Sequence, residues 1–257
     1  MSSTHEPRPD GDQVPPHGQG VAATTQDPVT QPQGPVGDGT VPSDEGYRAR
    51  IDGLDAPHVA LVRVAAAVAS VGEAEVRRAL TDALDVVPSE WVEEVILQSY
   101  LFAGFPRALN AAREWRRVSG RAAPAHDDGE RFADAGQWST DGARTCAIVY
   151  GASYERLRHN IRALHPALDA WMIVEGYGKV LSRPGLDLRR RELCIVAACA
   201  AAGQDRQLHS HLHGALNAGA SAGEVGAVLE AVTDFMAPEN PARYRLLLER
   251  VVHQDVH

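Results

Sequence analysis

Shifted by 132 residues, the second half of the chain answers the first. Leu61 falls on Leu193, Val64 on Val196, Ala83-Leu84 on Ala215-Leu216, Ser89 on Ser221, Ile96-Leu97 on Val228-Leu229 and Pro106 on Pro238. Self-similarity at a fixed offset means one structural unit used twice, and it restricts the architecture before any single element is assigned. Inside the first copy, Val59, Leu61, Val62, Val64, Ala65 and Val68 are followed by Ala74 to Leu84 and, after Pro88-Ser89, by a further amphipathic segment. That spacing is helical. The fold class expected is therefore all-α, with two tandem helical repeats packed pseudo-symmetrically. Composition agrees: hydrophobic residues make up 44% of the chain but aromatics only 5%, so Ala, Val and Leu must build the core, which suits close-packed helices.

The second copy carries the polar groups. A Pro184-Gly185 turn and Asp187, a good N-cap, precede an apolar run from Leu193 to Ala202 that Gly203 closes. A second helix begins near Gln204-Asp205, sets Leu208, Leu212, Ala215 and Leu216 on one stripe, and ends at Asn217-Ala-Gly219. Two helices joined by a tight turn form a hairpin, so polar residues on their facing sides can meet. Glu192 and His211 are the pair in question: a carboxylate near a helix start and an imidazole that titrates near neutral pH can together move a proton. The competing reading pairs Glu192 with one of Arg189 to Arg191 and leaves His211 bonded to a core carbonyl. At the 132-residue offset Glu192 lies opposite Ala60 and His211 opposite Ala79, so only the second copy can hold such a site. Of His209, His211 and His213, only the first and last share a helix face, and two histidines without a third ligand predict no metal.

The run Gly178-Lys-Val-Leu-Ser-Arg-Pro-Gly-Leu-Asp-Leu-Arg-Arg-Arg-Glu192, followed by His211-Leu-His-Gly-Ala-Leu-Asn-Ala-Gly-Ala-Ser221 and Glu224, resembles the carboxymuconolactone decarboxylase and alkylhydroperoxidase D (AhpD-like) superfamily over residues 137–235. Order and spacing follow the decarboxylase branch. The peroxidase branch carries a CxxC whose second cysteine stands four residues before the histidine, and those two positions here are Gln204 and Gln207. The resemblance thus implies two tandem carboxymuconolactone-decarboxylase-like units and a carboxy-lyase-like enzyme without CxxC peroxidase activity. It implies a cofactor-free reaction on a small carboxylated lactone or related acid, in which His211 donates the proton and Glu192 orients it. Arg183 would hold the carboxylate or a developing oxyanion, and Gln207 a carbonyl or the imidazole itself. Tyr177, Tyr154, Trp171 and Cys199 would wall the pocket, although Cys194 and Cys199 also read as small apolar core residues. The same groups would serve a cofactor-free isomerase or cyclase acting on a small carbonyl compound, and a non-catalytic oligomeric scaffold would keep the helices alone. Members assemble in rings, so a homo-oligomer is expected, a trimer favoured. The first copy retains Tyr100-Leu-Phe-Ala-Gly-Phe-Pro-Arg-Ala-Leu-Asn110, similar to the family's Tyr-x-Gly-x-Pro segment, where the second copy has the worn Phe235-Met-Ala-Pro-Glu-Asn240.

Residues 1–45 contain eight of the 16 prolines and no aromatic side chain, too little apolar surface to offset the entropy of ordering, and are expected to form a disordered tail. Residues 46–120 form the degenerate first repeat, 121–137 a polar Gly/Asp-rich linker, and 138–257 the second repeat with the site. A formal charge of −9 without a basic stripe argues against a nucleic-acid partner. Three cysteines give no disulfide framework and point to a reducing, cytoplasmic setting. No stretch reaches the ~18 apolar residues of a membrane span, so a small-molecule substrate and further copies of the chain are the partners expected.

Overall fold

A computed structural model describes residues 53–127 and 135–254, and no strand occurs among them. The tail and the first residues of the first repeat lie outside the described residues, as do residues 255–257. Helix α1 (Ala56–Ser70) starts where the Asp55 side chain accepts from the His58 amide and Pro57 occupies the first turn. It is followed by α2 (Glu73–Ala83), α3 (Ser89–Ala103) and α4 (Phe105–Ser119). Helices α3 and α4 meet at Gly104, whose φ of +81° makes the corner, and Pro106 then sits in the first turn of α4.

Residues 121–127 are exposed and non-helical, and α5 (Ala135–Tyr150) begins inside the stretch expected as linker. A short 3-10 turn leads to α6 (Tyr154–Leu164), broken at His165 as the His165-Pro166 pair requires. Then α7 (Pro166–Trp171) runs directly into a π-helix, Met172–Leu181. After the Pro-Gly turn come α8 (Leu188–Ala201), α9 (Asp205–Asn217), α10 (Ala222–Ala231), a 3-10 turn and α11 (Asn240–Gln254).

Several of these boundaries follow the 132-residue offset. Helices α1 and α8 start 132 residues apart, as do α2 and α9. Ser89, first in α3, matches Ser221, whose side chain and Glu224 close a capping box on α10. The correspondence loosens at α4 and α11, which start 135 residues apart. Helices α1 and α8 pack on one another at the centre. Both are buried nearly all round: α8 is covered without interruption from Arg191 to Ala200, and α1 from Val64 to Val68, which is the pattern of central rather than surface helices. Alanines at Ala66, Ala67, Ala197 and Ala200 let the two backbones approach closely.

Two further features position the site. Helix α5 crosses the π-helix so tightly that a Cβ on Gly142 would stand 2.0 Å from the Ile173 carbonyl oxygen, and one on Gly178 2.0 Å from that of Trp138. Across the repeats, Arg191 is fully buried and donates to Glu94 Oε2 at 2.7 Å, to Gln98 Oε1 at 3.2 Å and to the carbonyls of Leu186, Arg183 and Pro184. A guanidinium saturated in this way pins the start of α8 to α3. No helix among the described residues is long and apolar enough to cross a membrane.

Candidate functional site

Helix α8 is set by its cap: the Asp187 carboxylate accepts from the Arg190 amide at 3.0 Å, which places Glu192 in the second helical turn, 0% exposed. Gly203, at φ +67°, turns the chain back into α9, and His211 arrives opposite Glu192 with 5% exposure. The two side chains meet. His211 Nδ1 lies 2.7 Å from Glu192 Oε2; with the carboxylate ionised, Nδ1–H is the donor and Nε2 is left for another partner. Glu192 Oε1 is buried and has no hydrogen-bond partner among the described residues. A buried acceptor without a partner costs about 1–3 kcal/mol, so such an atom calls for a functional account.

The competing pairing of Glu192 with its arginine neighbours does not occur. Arg189 bonds Glu224, Arg190 bonds Asp187 and stacks 4.1 Å over the Trp91 ring, and Arg191 is taken by Glu94. Gly214 makes room for the carboxylate, since a Cβ there would lie 2.6 Å from Glu192 Oε2 and 2.8 Å from Val149 Cγ1. The sequence held a signal for this in a lone glycine three residues after His211 inside a helical pattern.

The surrounding wall is apolar or neutral. The Phe102 ring stands edge-on to His211, centroids 5.7 Å apart at 85°, and the rings of Tyr150 and Tyr177 meet edge-to-face at 6.2 Å. Burial pushes the Tyr150 hydroxyl up to about 12 and that of Tyr177 well above its ordinary value, and the charge of Glu192 adds to both. Burial likewise pushes the Cys146 and Cys199 thiols up to about 12, with Glu192 again adding to both. Thiols so placed stay protonated and are poor nucleophiles at neutral pH. Cys199 instead donates weakly to Gln204 Oε1, 3.7 Å away.

Of the residues expected from sequence, the structure gathers Glu192, His211, Tyr177 and Cys199. Gln207 is exposed on α9, and Trp171 is 62% exposed on α7. The Tyr154 hydroxyl accepts from Arg158 at 2.8 Å. Arg183 goes elsewhere. Its guanidinium is held by Asp127, through two bonds of 2.8 Å, and by Glu94 at 2.9 Å, and these carboxylates raise its pKa above the ordinary value. It lines a cavity of about 800 Å³ with Glu90, Trp115 and Pro184. Neither Glu192 nor His211 lines that cavity. His209 and His213 do share a face, rings 5.1 Å apart. No group of three or more His, Cys, Asp or Glu side chains suited to a metal occurs among the described residues.

Phe102, Tyr150 and Cys146 were not singled out from the sequence. Phe102 lay within the retained Tyr100–Asn110 segment, but nothing in the sequence indicated that it reaches the other repeat.

Residues 166–239 match the model of the carboxymuconolactone decarboxylase family. No curated protein gives a significant match to the chain. The matched segment opens at the first residue of α7 and closes just before α11, so it contains the π-helix, the α8–α9 hairpin and both members of the buried pair. Through that segment, on a fold that is all-α among the described residues, the chain is similar to the carboxymuconolactone decarboxylase family.

Proposed function

We propose that the second repeat is a cofactor-free catalytic site in which His211 and Glu192 move a proton on a small carbonyl-bearing acid or lactone. One observation carries the reading: a fully buried carboxylate bonds the imidazole through Oε2 at 2.7 Å while its Oε1 has no partner among the described residues. In the decarboxylation that the family resemblance implies, the bond between the carboxylate carbon and the ring breaks and carbon dioxide leaves. The electron pair enters the conjugated lactone as a dienolate. His211 in its doubly protonated form delivers the Nε2 proton to carbon, and Glu192 holds Nδ1–H throughout; water then restores the proton. The test is turnover of a γ-carboxylated lactone by His211→Ala and Glu192→Gln, read beside their melting temperatures. Loss of a general acid predicts a fall of about 10²–10⁴-fold for His211→Ala. A purely structural pair would instead cost roughly 1–3 kcal/mol of stability, with activity following the amount of folded protein.

The pairing of Arg183 with Glu94 and Asp127 favours a second reading, because the guanidinium assigned to the substrate carboxylate is already neutralised. Isomerisation or ring closure of an uncharged carbonyl compound uses the same proton transfer and needs no such cation. Solvent deuterium appearing in the product without carbon dioxide release distinguishes it. The resemblance also implies a homo-oligomer, a trimer favoured. Exposed Leu97, Phe105 and Leu109 on α3 and α4, with Leu164, Leu168 and Trp171 on α6 and α7, are the apolar surface that an assembly would cover.

A further inference from the structure

We propose that Phe102, a residue of the first repeat, is the specificity-determining gate of the site in the second. The proposal rests on the reading of His211 and Glu192 as the reacting pair. It starts from the imidazole's surroundings: one edge is committed to Glu192, the ring is 5% exposed, and the Phe102 ring stands against it at near-right angles. A group that reaches His211 from the side of this ring meets an apolar surface.

The placement of Phe102 is built into both repeats. It is the next-to-last residue of α3, ahead of the Gly104 corner. Its carbonyl, one of the last four of the helix and so without an intrahelical partner, accepts from Gln204 Nε2 at 3.3 Å. Gln204 stands at the start of α9, the helix that carries His211, and its Oε1 faces the Cys199 thiol. One side chain thus links the end of α3 to both helices of the hairpin. Phe102 borders a crevice of about 10 Å³ together with Ala65, Val95, Gln98, Ser99, Cys194 and Ala198. It is too small to hold a ligand.

The repeat offset supplies an independent argument. Position 234 corresponds to Phe102, and there the second copy has Asp234, held by Arg63 of α1 through two bonds of 2.7 Å. The end of the third helix of the first copy and the 3-10 turn just after that of the second therefore each reach into the other copy. In one direction it meets Arg63 beside a copy whose polar pair is replaced by Ala60 and Ala79; in the other it meets His211. On this reading the first copy, having no acid–base pair of its own, supplies the cover of the surviving site. The ligand class that fits is a small compound with one carbonyl for His211 and a flat apolar face for Phe102.

The test reads access to His211 without needing a substrate. Full-length protein is treated with diethyl pyrocarbonate, and acylation of each histidine is followed by peptide mass spectrometry. His209, which is exposed and whose pKa burial and His213 hold below the ordinary value, serves as the internal standard. In the wild type His211 should react far more slowly than His209. Phe102→Ala should raise the His211 rate about tenfold or more and leave that of His209 unchanged, with Phe102→Leu between the two. An unchanged His211 rate in a folded Phe102→Ala protein overturns the gate. If Phe102→Ala fails to fold, seen as all histidines accelerating together, the same comparison on Phe102→Leu decides in either direction. A faster His211 together with no turnover of a γ-carboxylated lactone or an uncharged carbonyl analogue sinks the catalytic reading, and with it the specificity role, and leaves Phe102 only as the cover of His211. Where turnover exists, Phe102→Ala should shift kcat/KM toward bulkier substrates, a change that a packing role would not produce.

Discussion

Gly214 carries much of the geometry of the pair. In the middle of a helix a glycine is ordinarily a weakness of about 0.5–1 kcal/mol relative to alanine. Here an added Cβ would fall 2.6 Å from Glu192 Oε2 and 2.8 Å from Val149 Cγ1, both parts of well-buried surroundings. Gly214→Ala should therefore destabilise by about 1–3 kcal/mol, the range for overpacking, where an open helical site would gain. The sign of the change in melting temperature decides between the two. Turnover should fall further than folded protein does, because the side chain forced to move is the carboxylate that holds His211. At this scale the sequence was legible in part. Glu192 and His211 could be paired from their spacing across a hairpin, but residue types alone do not tell whether a guanidinium is free. Arg183 shows the difficulty: Glu94 lies in the other repeat and Asp127 in the connecting stretch, and both claim it.

Helix boundaries were legible wherever the chain marks them with caps and left-handed glycines. Asp187, Gly203, Gly219 and the Ser221–Glu224 box end or begin helices where the pattern indicates. The π-helix at Met172–Leu181 was not, because its wider winding has no side-chain signature and depends on the crossing with α5 at Gly142 and Gly178. Its leading end is held by Asp169, a buried carboxylate of α7 that accepts from Arg158 and Arg162 of α6. The hydrogen bond from Arg158, then that from Arg162, holds this carboxyl down at about 2, against burial, which acts upward. Since the folded value lies below the ordinary 3.8, the stabilisation is complete above about pH 4 and is lost as pH falls toward 2. Urea denaturation of the wild type and Asp169→Asn at pH 7, 4 and 2.5 should show a gap that is widest at neutral pH and markedly narrower at the lowest. A gap constant with pH would mean that the carboxylate's charge contributes nothing there.

At the scale of the whole molecule, the offset of 132 foretold which helices correspond, but not how the two copies hold each other. That depends on side chains whose partners are far away in sequence: Phe102 on His211, Arg63 on Asp234, and above all Glu94, which receives both Arg191 and Arg183. The two carboxylates facing Arg183 are not equivalent. Glu94 is 8% exposed at its side chain and neutralises a guanidinium that is wholly buried, whereas Asp127 is 45% exposed and bonds Arg183. Removing one partner of a buried pair leaves an uncompensated charge, which costs about 3–5 kcal/mol, while an exposed pair is worth roughly 0–1 kcal/mol. Glu94→Ala should accordingly destabilise the protein several times more than Asp127→Ala in urea denaturation. Its effect should also reach the site. Arg191 and Glu192 are consecutive, so a start of α8 no longer pinned to α3 shifts the carboxylate relative to His211, and turnover should drop in Glu94→Ala protein that is still folded. Equal stability losses for the two variants, or full activity in folded Glu94→Ala, would show that the repeats are joined by apolar packing alone.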